Sequence, residues 1–254
     1  VAPLFSIIIP TFNPGAKLRL SLESVRAQAF DSLEIWVLDG ASTDGTAQWL
    51  AQNAAAMGFR FHSEPDHGVY DAMNKGIALA RGEFLYFLGA GDLMRPGALQ
   101  EIAANLPPRG DKLRFVYGNM ALPEGEIYDG PFTKSKLRMG NIGHQAIFYE
   151  RGIFDLLGGY DLTYPVFADH VFNMRCFGDS RVAPTYVPCT IADYESGGLS
   201  CHGDAAYLRD RLKNLRRYLG WRQWMLALCA KILPSTLKEW LRAQGRKTQH
   251  RTSP

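Results

Sequence analysis

Several features are scarce in this chain, and each scarcity narrows the field. No apolar run is long enough to cross a bilayer: in the tail the longest, Trp224 to Ala230, falls far short of the roughly 20 residues a spanning helix needs. No basic segment and cleavage site precede the first apolar stretch, since Pro3 to Pro10 leads straight into it, so a secretory signal peptide is not expected. Cysteine is sparse. Cys176, Cys189, Cys201 and Cys229 form no C-x-x-C pair, which points to reduced, mostly packed thiols in a cytosolic protein rather than a disulfide framework or a zinc site. No G-x-G-x-x-G follows the first strand pattern, which argues against a dinucleotide dehydrogenase. There is no internal repeat or low-complexity segment.

What is present fits one α/β domain with an appended tail. The 254 residues are 46% hydrophobic and 21% charged, enough to build a sizeable core. The net charge of +3 conceals a split: residues 205–254 hold 12 Lys/Arg and 2 Asp/Glu, leaving 16 and 23 for residues 1–204. An acidic body therefore carries a basic tail, which suggests an anionic partner such as membrane lipid or nucleic acid. The acidic body and the lack of a recognition motif argue against nucleic acid.

Along the chain, strand and helix patterns alternate, as in a mainly parallel, doubly wound sheet. Strands are expected at 5–10, 33–38, 59–62 and 84–88. Leu18, Leu22, Val25 and Ala29 recur at helical spacing. A helix is expected over 44–57, with Asp44 or Thr43 as its cap, and a clear amphipathic one over 69–81. Strands follow at 113–117, 145–149 and 185–194, with a loop or ribbon over 124–143 and a helix beginning near Asp169. The tail reads as two helices. Leu208, Leu212, Leu215 and Leu219 form one apolar stripe, and Trp221, Trp224, Met225, Leu228 and Ile232 a second. Pro234 ends the latter, and Thr236 and Glu239 sit at capping-box spacing for a short third helix. The tail is expected to lie on a membrane as interfacial helices do; packing on the catalytic domain or on a second subunit is the alternative.

The chemistry-bearing residues gather after strands. Phe84 to Asp92 reads F-L-Y-F-L-G-A-G-D, and Ile35 to Leu38 runs into Asp39-Gly40-Ala41-Ser42-Thr43-Asp44-Gly45. Ligands of open α/β sheets bind at the carboxyl ends of strands, so two acidic strand exits suggest a nucleotide-diphosphate site. Asp39 is placed either to accept from the imide N–H of uracil or to close a turn. Asp71, Asn74 and Lys75 share a helical face, and the lysine is suited to a diphosphate or to solvent. Asp92 is suited to Mg²⁺ or Mn²⁺ with substrate phosphates as the other ligands, or to capping a helix near Pro96. Asp169, behind the Gly158-Gly159 turn, is a candidate general base or an N-cap. His144 is a candidate phosphate or acceptor contact or a structural histidine.

In this order, the pieces resemble the family 2 glycosyltransferases of the GT-A fold. The resemblance is carried by Ser6-Ile7-Ile8-Ile9-Pro10-Thr11-Phe12-Asn13, by Glu34 to Thr46, by Glu64 to Ile77, by Asp92 and Asp169, and by the Gly-Gly-Leu-Ser of 197–200. The Tyr-Asp-Ala-Met-Asn-Lys-Gly run is similar to a subgroup from bacterial exopolysaccharide clusters, the colanic-acid-type transferases. The resemblance implies a GT-A catalytic domain over 1–204 and a basic amphipathic helical tail over 205–254. It implies that Pro10, Thr11 and Asn13 line the nucleotide, that Asp39 pairs with the base, and that Asp71 and Lys75 lie near ribose or diphosphate. It places Asp92 at the last aspartate of the metal-binding D-x-D region, for Mn²⁺ or Mg²⁺, and makes Asp169 the catalytic base of an inverting transfer. The expected reaction moves a sugar from a nucleotide diphosphate, UDP favoured, to the hydroxyl of a lipid-linked glycan at the inner face of the cytoplasmic membrane. A degenerate nucleotide- or glycan-binding module of the same fold is the alternative. The chain departs from the family twice: the usual D-x-D-D is here Gly89-Ala90-Gly91-Asp92, and Met73 stands where many members have arginine.

Overall fold

The computed structural model describes residues 2–123, 125–128, 130–195 and 203–232. The Gly197–Ser200 run, Pro234 and the third helix expected around Thr236 and Glu239 lie outside the described residues.

Three buried apolar runs and one exposed edge strand build the first half of one sheet. Strand β1 (Phe5–Thr11) is followed by α1 (Lys17–Arg26), β2 (Leu33–Asp39), α2 (Thr46–Met57), β3 (Arg60–Ser63), α3 (Val69–Leu79) and β4 (Phe84–Phe87). These four strands are mutually parallel in the order β3-β2-β1-β4, as right-handed crossovers through α1, α2 and α3 demand. Their carboxyl ends therefore lie along one edge. Pro10, lacking an N–H, is tolerated in this interior strand for a local reason. Even-numbered residues of β1 turn their backbone toward β4, as the Leu88 N–H to Ile8 carbonyl bond records, and β4 has ended by the level of Pro10.

The second half is mixed. β5 (Leu93–Met94), α4 (Ala98–Ala104), β6 (Leu113–Ala121), β7 (Ile127–Tyr128), α5 (Lys134–Met139), β8 (Ile147–Glu150), α6 (Gly152–Leu157), α7 (Ala168–Gly178) and β9 (Val182–Asp193) complete the sheet in the order β3-β2-β1-β4-β8-β6-β9-β5, with β7 on β6. β8 is antiparallel to both β4 and β6, whereas β9 is parallel to β6. The antiparallel β8 matters most for the site: its first residues lie beside the last residues of β4. The core between sheet and helices is strongly aromatic, with Phe154 and Phe172 stacked at 4.8 Å and Tyr149, Tyr160 and Phe87 at their edges.

Three expectations need correcting. The segment expected as a loop contains α5, whose N-cap Thr133 accepts from the Lys136 N–H. Gln145 does not open a strand; residues 144–146 form a 3₁₀ turn ahead of β8. Asp44 is not the α2 cap itself. It binds the Thr46 N–H and hydroxyl from one residue before the Gly45 cap.

The described part of the tail consists of α8 (Ala205–Asn214), a π turn at Leu215–Leu219 and α9 (Trp221–Ile232). It packs on α5 and α7. The N-cap Asp204 accepts from the Tyr207 N–H at 2.8 Å and, with its other oxygen, from the Val166 and Phe167 N–H groups. The expected stripes are broken. Leu215 and Leu219 are buried while Leu208 is exposed, because at the start of α8 Tyr207 is the residue turned inward. On α9 the inward residues are Gln223 and Ala227, because Gln223 finds Ser135 and Arg138 as polar partners. Trp221, Met225 and Leu226 face outward. No helix among the described residues is long and apolar enough to cross a membrane.

Candidate functional site

Two loops are stitched together where β1 and β2 end. The Asn13 N–H donates to Ser42 Oγ at 2.7 Å, and Asn13 Oδ1 accepts from the Thr43 N–H at 2.7 Å. Asp44 reaches back to the Gly15 N–H at 3.0 Å. Asp39, the last residue of β2, is buried and accepts from the hydroxyls of Ser42 and Ser63 at 2.5 and 2.6 Å. Thr11, its register partner on β1, has a buried hydroxyl with no hydrogen-bond partner among the described residues. A buried hydroxyl without a partner is uncommon in a folded protein and suits a position that a ligand completes.

Asp71 and Lys75 stand on α3 above the loop that follows β3. Asp71 accepts from the His67 N–H at 3.0 Å. Lys75 donates to the Pro65 carbonyl at 2.7 Å and pairs with Glu64 at 2.9 Å and Asp71 at 3.8 Å. Partial burial pulls the Lys75 ammonium down, and the surrounding Glu64, Asp71 and Asp66 more than offset it, holding its pKa above the ordinary lysine value. Lys75 shares a narrow crevice with Asp39, His62, Glu64 and Asp66, so it lies beside the β2 exit but is already tied to its own loop. Asn74 points elsewhere and clamps the backbone of Tyr160.

The third strand exit carries Asp92. Its turn is pinned by Ser21 of α1, which accepts from the Gly91 N–H at 2.8 Å and donates to the Asp92 carbonyl at 2.9 Å. Asp92 does not cap α4, whose N-cap is Gly97. Its carboxylate is buried and accepts from Gln145 Nε2 at 2.9 Å and the Glu195 N–H at 2.8 Å. Burial pushes the Asp92 carboxyl up, and Glu195 N–H, His144 and Gln145 offset this only in part.

Asp169 lies in the first turn of α7, inside the helix rather than at its Phe167 N-cap. It is buried among donors: Tyr70 Oη at 2.9 Å, the His170 N–H at 2.7 Å and Asn141 Nδ2 at 2.9 Å. His144 Nδ1 stands 3.8 Å from Asp169 Oδ2. Behind it, His170 donates from Nε2 to the Leu137 carbonyl, so its Nδ1 accepts from Tyr207 Oη at 2.9 Å. Burial holds the His170 imidazole below its usual pKa.

The fold thus joins Asp92, His144 and Asp169 through one short turn, since His144 and Gln145 are neighbours in sequence. Asp39, Thr11 and Asn13 form a second group at the exits of β1 and β2. Four residues that bind Asp92 or Asp169 carry no role in the sequence reading: Tyr70, Asn141, Gln145 and Glu195. Tyr70 and Gln145 adjoin Asp71 and His144 in sequence, but nothing in one-dimensional spacing indicates which acid they serve.

A hard divalent cation needs few protein ligands when substrate phosphates supply the rest. The described residues fit that requirement and no more: Asp92 offers a carboxylate, and no group of three or more His, Cys, Asp or Glu side chains among them is arranged to hold a metal.

Comparison with known proteins agrees with this arrangement. The model of the family described as Glycosyl transferase family 2 matches residues 6–139. The chain is 42% identical over 205 residues to a protein of Mycobacterium tuberculosis named PGL/p-HBAD biosynthesis glycosyltransferase, covering 78% of this chain and 80% of the relative. In fold it is similar to S. aureus TarS 1–349 in complex with UDP-GlcNAc, with a TM-score of 0.64, 17% identity, and 84% of this chain and 67% of that one covered. It spans 38% of the longer S. aureus TarS chain. It is likewise similar to the mannosyltransferase PcManGT from Pyrobaculum calidifontis in complex with GDP-Man and Mn²⁺, with a TM-score of 0.59, 17% identity, and 98% and 81% covered. With strand exits, acids and connecting turn in these positions, the chain belongs to glycosyltransferase family 2 and has the GT-A fold.

Proposed function

We propose that the protein transfers a sugar from a UDP-sugar to an acceptor hydroxyl with inversion at the anomeric carbon, and that Asp169 is the base. The observation that carries this reading is the burial of Asp169 in the same site as Asp92, with His144 and Gln145 linking the two. Asp169 takes the proton from the attacking hydroxyl while the bond between the anomeric carbon and the diphosphate breaks on the opposite face. Tyr70 and Asn141 orient its two oxygens. Among the described residues no second carboxylate is placed as a nucleophile for a covalent, retaining route.

The donor binds along the exits of β1 and β2. Thr11 and Asn13 line the nucleotide with Pro10, the hydroxyl of Thr11 finds its missing partner there, and Asp39 faces the base. Asp71 and Lys75 order the loop at the ribose or diphosphate side. Asp92 holds Mg²⁺ or Mn²⁺ together with the diphosphate; a bound divalent ion supplies charge neutralisation for the leaving group. The Mn²⁺ named with PcManGT supports a metal. UDP rests on Asp39 at the exit of β2, whose carboxylate would accept from the imide N–H of the base.

The acceptor is a lipid-linked glycan of bacterial surface-polysaccharide synthesis, met at the inner face of the cytoplasmic membrane. The outward Trp221, Met225 and Leu226 of α9, beside exposed Arg216, Arg217 and Arg222, support interfacial binding.

Thermal unfolding with UDP, GDP, dTDP and CDP, each with and without Mn²⁺, tests the donor reading. A metal-dependent stabilisation confined to UDP is expected. A flat response to all four contradicts it and favours a degenerate module.

A further inference from the structure

The turn after β4 is short of acid. In Gly89-Ala90-Gly91-Asp92 only Asp92 can offer a carboxylate. We infer that Glu195, at the exit of β9, supplies a second carboxylate to the divalent-cation site, in place of the one that Gly91 cannot provide. The inference rests on the proposed metal and diphosphate reading of this site.

The first support is steric. Gly91 has φ +121°, a conformation that side chains rarely adopt, and a Cβ built there would lie 2.0 Å from Glu195 Oε2. The Glu195 carboxylate therefore fills the space a side chain at position 91 would occupy. Gly89 does the same for Asp92, whose Oδ2 would be 2.8 Å from a Cβ at 89. The two glycines leave room for two carboxylates against the turn, one from within it and one from 103 residues further along the chain.

The second support is positional coupling. The Glu195 N–H donates to Asp92 Oδ1 at 2.8 Å, so the backbone that carries one acid fixes the other. The bond to Gln145 holds Oδ2 of Asp92, and Glu195 itself extends toward solvent with its side chain 40% exposed.

The third support is a cation already in place. Lys17 Nζ lies 2.9 Å from Glu195 Oε1, and Lys17 opens α1, whose Ser21 pins the same turn. The ammonium group stands in for the divalent ion. With a divalent cation bound, Glu195 would exchange its Lys17 partner for it.

Mn²⁺ binding read from the electron paramagnetic resonance of the free ion tests this, with protein plus UDP and, separately, protein plus GDP. Wild type is expected to bind Mn²⁺ with one of the nucleotides. Glu195→Gln keeps side-chain length and the backbone donor to Asp92, and is expected to lose about tenfold or more in Mn²⁺ affinity, the range that even outer-sphere partners command. Lys17→Met is expected to bind Mn²⁺ as well as wild type or better. Thermal unfolding without metal, together with a Glu195→Asp variant that retains charge, guards against a folding defect. Wild-type Mn²⁺ affinity in Glu195→Gln overturns the inference and leaves the metal reading standing. Equal losses in Glu195→Gln and Lys17→Met make the pair a structural latch and also overturn it. No Mn²⁺ binding by wild type with either nucleotide overturns both readings.

Discussion

Gln145 and Asp92, 53 residues apart, are joined by a buried hydrogen bond of 2.9 Å from Nε2 to Oδ2. Gln145 is held in turn by Tyr86, whose hydroxyl donates to its carbonyl at 2.8 Å. The bond aims one oxygen of Asp92 and leaves its neighbour His144 directed at Asp169. Gln145→Ala frees that oxygen and is expected to weaken metal-dependent nucleotide binding by about 10–100-fold, the usual effect of losing an outer partner. Titration of Mn²⁺ in the presence of nucleotide checks this, and unchanged affinity counts against a positioning role.

Tyr70 spans 99 residues to reach Asp169 Oδ1 and also lies 2.8 Å from the Val166 carbonyl. Its single proton serves one of these at a time, so the tyrosine couples the base to the loop before α7. Burial, with Asp169 beside it, drives the Tyr70 pKa well above the usual phenol value, so it remains a donor. Tyr70→Phe removes that donor from a buried site, at a cost of about 1–3 kcal/mol. Turnover is expected to fall with donor KM nearly unchanged, and steady-state kinetics alongside chemical unfolding separates the two effects.

Asp204 caps α8 and binds two backbone donors next to Asp169's helix. Asp204→Ala strands those N–H groups and loses the cap, for an expected loss of about 2–4 kcal/mol from the two effects combined. Urea unfolding measures it. A change within a few tenths of a kcal/mol would mean that the tail does not depend on this link.

His170 sets a pH dependence of stability. Burial lowers its folded pKa below the usual histidine value, with the Leu137 carbonyl and Asp169 opposing and Arg211 adding to the shift. The unfolded state then binds the extra proton more readily. Stability from this group is complete above the ordinary histidine pKa and is lost as pH falls below it toward the folded pKa. The slope is at most about 1.4 kcal/mol per pH unit for one proton. Unfolding midpoints of wild type and His170→Gln between pH 5 and pH 8 (about the range in which histidine titrates) are expected to converge on the acid side.

For the membrane reading, Trp221→Ser with Arg222→Ser is expected to reduce sedimentation with anionic vesicles, and wild-type sedimentation is expected to fall with added salt. Both side chains face outward on α9, so folding is expected to be unaffected. Absence of wild-type binding to such vesicles contradicts the membrane reading.

The strand exits were legible because period and composition changed sharply there: buried runs such as Phe84–Phe87 stop at small residues and an acid. The same contrast revealed α3, an amphipathic helix with Met73 fully buried. The second half resisted for two reasons. An antiparallel β8 depends on pairing with β4 and β6, which local sequence does not encode. Short helices such as α5, with only Leu137 buried, leave little periodic signal. The acids Asp39, Asp92 and Asp169 could be picked out by position, but their partners could not. Tyr70, Asn141, Gln145 and Glu195 reach Asp169 and Asp92 across 28 to 103 residues, a distance only the folded sheet closes. In the tail, the apolar stripes were visible, but the inward Tyr207 and the polar seat of Gln223 decided which residues face the body.

Turnover of Asp169→Asn with the donor identified by the nucleotide panel tests the central claim most directly. Asparagine keeps an acceptor for Tyr70 and for the His170 N–H while removing the base. The rate is expected to fall by about 10²–10⁴, with nucleotide affinity little changed. Near-normal turnover in this variant would contradict Asp169 as the base and the inverting transfer built on it.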